Sequence, residues 1–201
     1  MHQFMRKLYE KIAQWRTSAF KPVVPLLSFF HITPNFLSYT SIVLMLLFII
    51  YIKSLSPWLL LLILGSVLLD LIDGPLARIM GVASDKGKFI DMLCDNLAFT
   101  LFVLGLMYVG LISGMVGGAL IYFMVLSKLL RSIYNSHHYK SDWKFKAVAG
   151  FIPNFVVALS YIVLGIFLIW GIEYLNYAYA LFSAVLIIDA TFFYVRIVRE
   201  E

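Results

Sequence analysis

The chain has 201 residues, of which 62% are hydrophobic and 13% charged, and its mean hydropathy is +0.92. Soluble domains carry about 25% charged residues, so the composition excludes an ordinary soluble protein and predicts that most of the chain lies in lipid. The single cysteine, Cys94, excludes an intrachain disulfide and argues against a thiolate metal site. The net charge of +5 is attributed to membrane topology, not to a nucleic-acid partner.

Residues 1–30 form a separate juxtamembrane segment in which apolar and basic side chains interleave. Large apolar residues recur at near-helical spacing, at Phe4, Leu8, Ile12 and Trp15, and most of the basic residues lie between them. This pattern predicts a short amphipathic helix in the plane of the lipid headgroups. The alternative, a segment that only sets the topology, stays open.

Six apolar runs follow, each close to the length of about 20 residues that spans a bilayer. We therefore expect an all-α integral membrane protein with six transmembrane helices in one domain, residues 33–198. Thr33-Pro34 and Ser56-Pro57 are typical helix starts, a capping residue followed by proline at the first helical position. The predicted spans are 34–53, 57–80, 87–112, 115–136, 146–170 and 174–198.

Lysine and arginine lie almost entirely on one side of the predicted membrane domain. That side carries the N-terminal segment, the turn at 81–88, the loop at 137–146 and the C-terminal tail, whereas the opposite side shows only Lys53. Positively charged loops face the cytoplasm. We therefore expect both termini, and any site on that side, to be cytoplasmic.

Four aspartates, Asp70, Asp73, Asp91 and Asp95, lie within or beside the second and third apolar runs. A carboxylate at membrane depth costs about 2.5–3.5 kcal/mol on insertion scales, and adjacent carboxylates repel one another unless a cation neutralises them. Spacings of three and four residues place each pair on one helix face. A short turn joins the two helices, so we expect an antiparallel hairpin whose four carboxylates face each other in the cytoplasmic half of the membrane.

Oxygen ligands without histidine or cysteine favour a hard cation, Mg²⁺ or Mn²⁺. Small residues flank the carboxylates at Gly74, Ala77 and Gly87. Glycine inside a helix costs about 1 kcal/mol relative to alanine, so its presence here predicts a ligand that approaches closely. Arg78 lies one turn beyond Gly74 and is suited to a bidentate clamp on phosphate. Together these residues predict a metal-dependent diphosphate site.

The same residues form the pattern D-x2-D-G-x2-A-R-x8-G-x3-D-x3-D, with every specified position present. In this pattern and in its six-helix layout, residues 33–198 resemble the CDP-alcohol phosphatidyltransferases. The resemblance implies a homodimer with a cytoplasm-facing polar cavity in each protomer. It also implies transfer of a phosphatidyl group from a CDP-linked lipid, of the CDP-diacylglycerol type, to the hydroxyl of a small polar alcohol, with release of CMP.

The resemblance also implies roles for individual residues. Two Mg²⁺ or Mn²⁺ ions per protomer are expected, one on Asp70, Asp73 and Asp91 and the other on Asp70, Asp91 and Asp95. Asp95 is expected to act as the general base as well. Donor-binding residues follow from the signature and from a similar T/S-P-N element: Thr33, Pro34, Asn35, Phe36, Gly74, Ala77, Arg78, Ser84 and Gly87.

A basic cluster near the cytoplasmic face is a candidate site for the acceptor alcohol. Lys128 and Arg131 are three residues apart on one helix face, and Lys144 and Lys146 precede the fifth span. The cluster resembles the phosphate pocket of relatives that use glycerol 3-phosphate or inositol phosphate. The alternative, that these charges only follow the positive-inside bias, stays open. Asp189, an isolated carboxylate in the sixth span, has no partner at helical spacing.

Three other readings are open at this stage. The reverse use of the site would move a phospho-headgroup from a CDP-amino alcohol onto diacylglycerol. Membrane prenyltransferases also use paired aspartates and Mg²⁺, but they are longer and open their motif with Asn-Asp. A cation transporter would also place carboxylates at membrane depth, although the chain lacks the second broken helix that inverted-repeat carriers show.

Overall fold

The computed structural model describes residues 17–30, 32–138, 151–171 and 174–199. Within these ranges the structure is all-helical, without strands, and six helices are long and apolar enough to cross a membrane. This confirms the predicted fold class. Of the predicted amphipathic segment, residues 1–16 lie outside the described residues, while residues 17–20 are helical.

A short helix precedes the six spans, and a 3₁₀ turn, Ile52–Ser54, follows the first of them. The helices are α1 (Val24–Phe29), α2 (Pro34–Tyr51), α3 (Leu59–Ile79), α4 (Asp85–Tyr108), α5 (Gly114–His138), α6 (Phe151–Trp170) and α7 (Leu175–Arg199). Most of their exposed side chains are large and apolar, such as Leu61 and Ile188 at 69% and 70% exposure. Large apolar side chains have a lower free energy in lipid than in water, so their exposure over whole helix faces is typical of a membrane protein.

The described residues fall into two compact units, one up to Phe102 and one from Val103 onward. In the first unit, α2 packs along α3, and the Phe48 ring of α2 stacks on Phe102 of α4 with centroids 5.6 Å apart. In the second unit, α7 packs against α5 and α6. There the buried Tyr179 of α7 donates a 2.7 Å hydrogen bond to the Ser160 carbonyl of α6.

The predicted start of α2 is confirmed. Thr33 is the N-cap, its hydroxyl accepts the backbone N–H of Phe36 at 3.3 Å, and Pro34 occupies the first turn. Serine and threonine suit this position because they satisfy a backbone donor that the first helical turn leaves without a carbonyl partner. The predicted start of α3 at Pro57 is two residues early. Residues 57 and 58 form a turn, and Trp58 precedes the helix without a side-chain cap.

Two glycines end the helices that carry the aspartates. At the end of α3, Gly81 adopts φ +69°, its N–H donates to the Arg78 carbonyl, and the next N–H, of Val82, donates to Ala77. Gly110, at φ +75°, does the same after Tyr108. A left-handed residue at this position favours glycine because it has no side chain. The predicted third span therefore extends too far, since α4 ends at Tyr108, four residues before 112.

Candidate metal and diphosphate site

Carboxylates from α3 and α4 meet in the first unit. Asp70 on α3 and Asp91 and Asp95 on α4 each place an oxygen within 4.8 Å of the others. All three residues are half-buried, and the Oδ1 atom of Asp91 is shielded from solvent. Two helix faces of negative charge therefore converge, as the spacing of three and four residues predicts. Such a concentration of charge calls for a cation.

The fourth aspartate takes a different position from the other three. Asp73 is only 4% exposed, and its Oδ2 accepts a 2.9 Å hydrogen bond from the hydroxyl of Ser38 on α2. It remains a close electrostatic neighbour of Asp91 and Asp70. Sequence analysis did not find Ser38, because serine in an apolar helix gives no signal until the helix opposite it is known.

The oxygen chemistry of the three-carboxylate cluster fits a hard divalent cation. Each carboxylate offers one oxygen to a common centre, and the cluster contains no nitrogen or sulfur ligand. Mg²⁺ and Mn²⁺ prefer such a set and commonly complete it with water or substrate phosphate. The predicted ligand set Asp70, Asp91 and Asp95 is thus brought together. Membership of Asp73 in a second set stays a prediction.

The start of α4 lies beside the start of α2. The Ser84 hydroxyl accepts the backbone N–H of Gly87 at 3.1 Å, which caps α4 and begins it two residues before the predicted 87. A side-chain Cβ placed on Gly87 would lie 3.3 Å from the Ser84 oxygen and 3.9 Å from Oδ1 of Asn35. Three of the predicted donor-binding residues, Asn35, Ser84 and Gly87, are therefore neighbours, although Asn35 is far from the other two in the sequence.

The end of α3 brings Arg78 over Gly74. A Cβ on Gly74 would lie 3.6 Å from the Nη1 atom of Arg78, so the guanidinium lies above the bare glycine backbone. Arg78 is exposed, and its Nε donates a 3.1 Å hydrogen bond to the hydroxyl of Thr17 in the N-terminal segment. Ala77 is half-buried beside it, and Phe36 is 57% exposed. Thr17 is a second polar neighbour that sequence analysis missed.

The two described candidate acceptor residues, Lys128 and Arg131, lie in the second unit. Arg131 is 5% exposed, and its Nε donates to Oδ2 of Asp189 at 3.0 Å while its Nη2 donates to Oδ1. Ser127 also donates to this carboxylate. Lys128 is half-buried on the same helix. Lys144 and Lys146 lie outside the described residues. The isolated Asp189 of the sequence thus has a partner on another helix, whereas an acceptor role for the lysines and Arg131 stays a prediction.

The comparison with protein families agrees with this geometry. A family model described as CDP-alcohol phosphatidyltransferase matches residues 31–190. This range includes all four aspartates and the starts of α2 and α4. The chain belongs to this family. No curated protein and no solved structure matches it.

Membership in the CDP-alcohol phosphatidyltransferases has direct consequences. The chain is an integral membrane protein and an enzyme of phosphotransferase type, acting in lipid biosynthesis. The family transfers a phosphatidyl group from a CDP-alcohol to an alcohol and uses a divalent metal. The matched range also covers Arg131 and Asp189, so the buried pair of the second unit is part of the family domain.

Proposed function

We propose that this enzyme transfers a phosphatidyl group from a CDP-linked lipid of the CDP-diacylglycerol type to the hydroxyl of a small polar alcohol, and releases CMP. The observation that carries the proposal is the convergence of Asp70, Asp91 and Asp95 within 4.8 Å. A cation bound there would meet the diphosphate of a nucleotide-linked lipid. The family match over residues 31–190 supports the same reaction class.

Asp95 is the proposed general base. It takes the proton of the acceptor hydroxyl, whose oxygen attacks the β-phosphorus of the donor. The new P–O bond forms as the bond to the CMP oxygen breaks, and CMP leaves with the electron pair of that bond. Group transfers of this kind depend mainly on positioning and charge stabilisation. Asp95 shares a helix face with Asp91, and their oxygens lie within 4.8 Å of each other, so the proposed base would lie beside a diphosphate bound at the cluster.

Asp70, Asp91 and Asp95 would hold a Mg²⁺ or Mn²⁺ ion, and Asp73 would join Asp70 and Asp91 at a second one. When bound, divalent ions neutralise the diphosphate and the charge that develops on the departing CMP. The three carboxylates would hold the positive charge of the ions in a half-buried site, where electrostatic interactions are stronger than in water. We take two ions per protomer as the working stoichiometry.

The donor is proposed to lie along the starts of α2 and α4 and the end of α3. Arg78, above the bare backbone of Gly74, would donate two hydrogen bonds to the diphosphate. Asn35 lies beside Gly87, whose lack of a side chain lets the Ser84 hydroxyl and the Asn35 side chain approach its backbone closely. The remaining predicted contacts come from the same three segments: Thr33, Pro34, Phe36, Ala77 and Ser84.

The acceptor is proposed to be a small polar alcohol, with glycerol 3-phosphate and inositol phosphate as the phosphorylated candidates. Lys128, Arg131, Lys144 and Lys146 are the proposed recognition residues for a phosphorylated acceptor. Arg131 binds Asp189, so Lys128→Ala tests this pocket without removing a member of that buried pair. If Lys128→Ala and Arg131→Ala both leave the KM for such acceptors unchanged, the basic pocket is not used.

We further propose that the enzyme is a homodimer whose termini and active site face the cytoplasm, in contact with membrane lipids. The lysine and arginine asymmetry of the sequence supports this orientation. Protease protection in inverted and right-side-out vesicles that carry tags at both termini would test it. Both tags should be cleaved from the same side, and cleavage of the two from opposite sides would refute an even number of spans.

The reaction is tested with the purified full chain in detergent or liposomes, Mn²⁺ and CDP-diacylglycerol. CMP release is measured against glycerol 3-phosphate, inositol phosphate, inositol, serine and ethanolamine. Asp91→Asn should lower the rate about 100-fold or more, whereas Met92→Leu, an exposed neighbour on α4, should leave it unchanged. CMP formation only from a CDP-amino alcohol with diacylglycerol would reverse the assignment of donor and acceptor. No CMP with any pair, together with metal flux in liposomes, would replace it with ion transport.

A further inference from the structure

A buried serine lies directly against the fourth aspartate. Ser38 and Asp73 are each 4% exposed, and the Ser38 Oγ lies 2.9 Å from Oδ2 of Asp73. They come from different spans, α2 and α3, which pack along one another in the first unit. This contact to α2 distinguishes Asp73 from Asp70, Asp91 and Asp95, whose oxygens converge on a common centre, although Asp73 stays close to Asp91 and Asp70.

The single hydroxyl proton of Ser38 has two possible acceptors. One is the backbone carbonyl of Pro34, one turn earlier at 3.3 Å, and the other is the Asp73 carboxylate. The Asp73 oxygen is the nearer of the two, and its distance is typical of a hydrogen bond between two oxygens, whereas 3.3 Å is long for one. The proton is therefore assigned to Asp73. It fixes Oδ2 against α2, and since a carboxylate is planar, it also sets the direction of Oδ1.

Resting on the proposed function, we propose that Ser38 is a positioning residue that orients Asp73 as a metal ligand. Asp73 is close to Asp91 and Asp70, so its Oδ1, the oxygen that Ser38 does not contact, belongs to the same negatively charged region. Residues that hydrogen-bond to a ligating carboxylate fix its rotamer, and their loss lowers metal affinity about 10- to 100-fold. Ser38 acts through Asp73 and touches neither substrate.

The helix itself offers a matched control. Ser41 is also 4% exposed, and its hydroxyl donates to the backbone carbonyl of Ser38 at 2.7 Å, not to a carboxylate. Ser41→Ala therefore removes a buried hydroxyl of the same helix without touching the aspartates. Ser38→Thr keeps the donor. Compared with Ser38→Ala, these two variants separate the effect of the Ser38 hydroxyl on metal binding from a general effect of losing a buried serine on α2.

Binding of Mn²⁺ to the purified full chain is the primary measurement, followed by the electron paramagnetic resonance signal of free Mn²⁺ without substrates. Ser38→Ala should weaken Mn²⁺ binding about tenfold, whereas Ser41→Ala and Ser38→Thr should stay within about twofold of wild type. In the CMP assay, the half-saturating Mn²⁺ concentration should rise by the same factor, with kcat at saturating Mn²⁺ little changed. Equal affinities of Ser38→Ala and Ser41→Ala would overturn the proposal.

A further variant distinguishes this failure from failure of the metal site itself. Asp91→Asn should abolish Mn²⁺ binding at the cluster. If it does so while Ser38→Ala binds Mn²⁺ like wild type, the metal site stands and the role of Ser38 is wrong. If Asp91→Asn binds Mn²⁺ as tightly as wild type, the metal site of the proposed function is wrong, and the role of Ser38 with it.

Discussion

The guanidinium of Arg131 on α5 binds the carboxylate of Asp189 on α7 in a bidentate manner: Nε donates to Oδ2 and Nη2 donates to Oδ1. Both residues are 5% exposed, and the guanidinium carbon lies 4.5 Å from the centre of the Phe193 ring. Ser127, one turn before Arg131, donates a further hydrogen bond to the same carboxylate. An intramembrane charge pair thus joins the two helices that pack most closely in the second unit.

The energetic character of this pair is asymmetric. Two opposite charges removed from water gain little over well-packed apolar side chains, because desolvation offsets their attraction. Removal of one partner, however, leaves an uncompensated charge inside the bundle, at a cost of about 3–5 kcal/mol. The pair therefore adds less to stability when intact than the loss of either partner would remove.

This asymmetry predicts the behaviour of single and double variants. Arg131→Met and Asp189→Leu should each lower the free energy of unfolding by about 3–5 kcal/mol, and the double variant should recover most of the loss. Denaturant unfolding of the detergent-solubilised protein measures all three. Leu129→Met, a change at an exposed apolar position of the same helix, is the control and should change little. Additive losses in the double variant would show that the two side chains do not interact.

Alanine at Gly74 tests whether the donor site needs the space beside this glycine, and alanine at Gly118 on α5 is the control. Alanine at Gly74 would place a Cβ 3.6 Å from Arg78, an ordinary contact, while Gly118 has nothing within 4 Å. Both changes should stabilise their helices by up to about 1 kcal/mol. Only Gly74→Ala should raise the KM for the CDP-linked donor, by about tenfold. The added methyl group would occupy the space beside Arg78 in which the diphosphate is proposed to bind. Unchanged kinetics in Gly74→Ala would place the donor elsewhere.

The number of spans and the convergence of carboxylates were predictable from the sequence because both follow from local periodicity. A run of about 20 apolar residues spans a bilayer whatever its neighbours, and Asp91 and Asp95 share a face because they are four residues apart. The end of α4 was missed because the apolar run continues past the helix to Leu111 and Ile112. Only the backbone, with Gly110 at φ +75°, shows where the helix ends.

Partners on other helices were not predictable in the same way. Ser38 and Asp73 are 35 residues apart, and Arg131 and Asp189 are 58 apart. Periodicity tells which face a side chain occupies, but not which helix lies opposite that face. A usable signal was present for the second pair, since two opposite charges in separate apolar spans are expected to neutralise one another. The search for a partner of Asp189 within its own helix missed it.

Two adjacent glycines of α5 should respond oppositely to alanine. A Cβ on Gly117 would lie 2.6 Å from Cγ of Met107 and 3.3 Å from Cδ1 of Ile112, whereas Gly118 faces open space. Gly117→Ala should destabilise the protein by about 1–3 kcal/mol because Met107 must move within a packed region. Thermal unfolding compares the two variants directly. Equal stability of both would mean that Met107 moves aside without cost.

Thr17 links the N-terminal segment to the donor site through its 3.1 Å hydrogen bond from Arg78. The bond restricts an exposed guanidinium that would otherwise sample several rotamers, and a hydrogen bond of this kind contributes about 1 kcal/mol. Thr17→Ala should therefore raise the KM for the CDP-linked donor about fivefold, with kcat and the half-saturating Mn²⁺ concentration unchanged. Thr17→Ser keeps the hydroxyl and should behave as wild type. A similar KM change in both variants would assign the effect to the methyl group of Thr17, and no change in either would show that Arg78 needs no support from the segment.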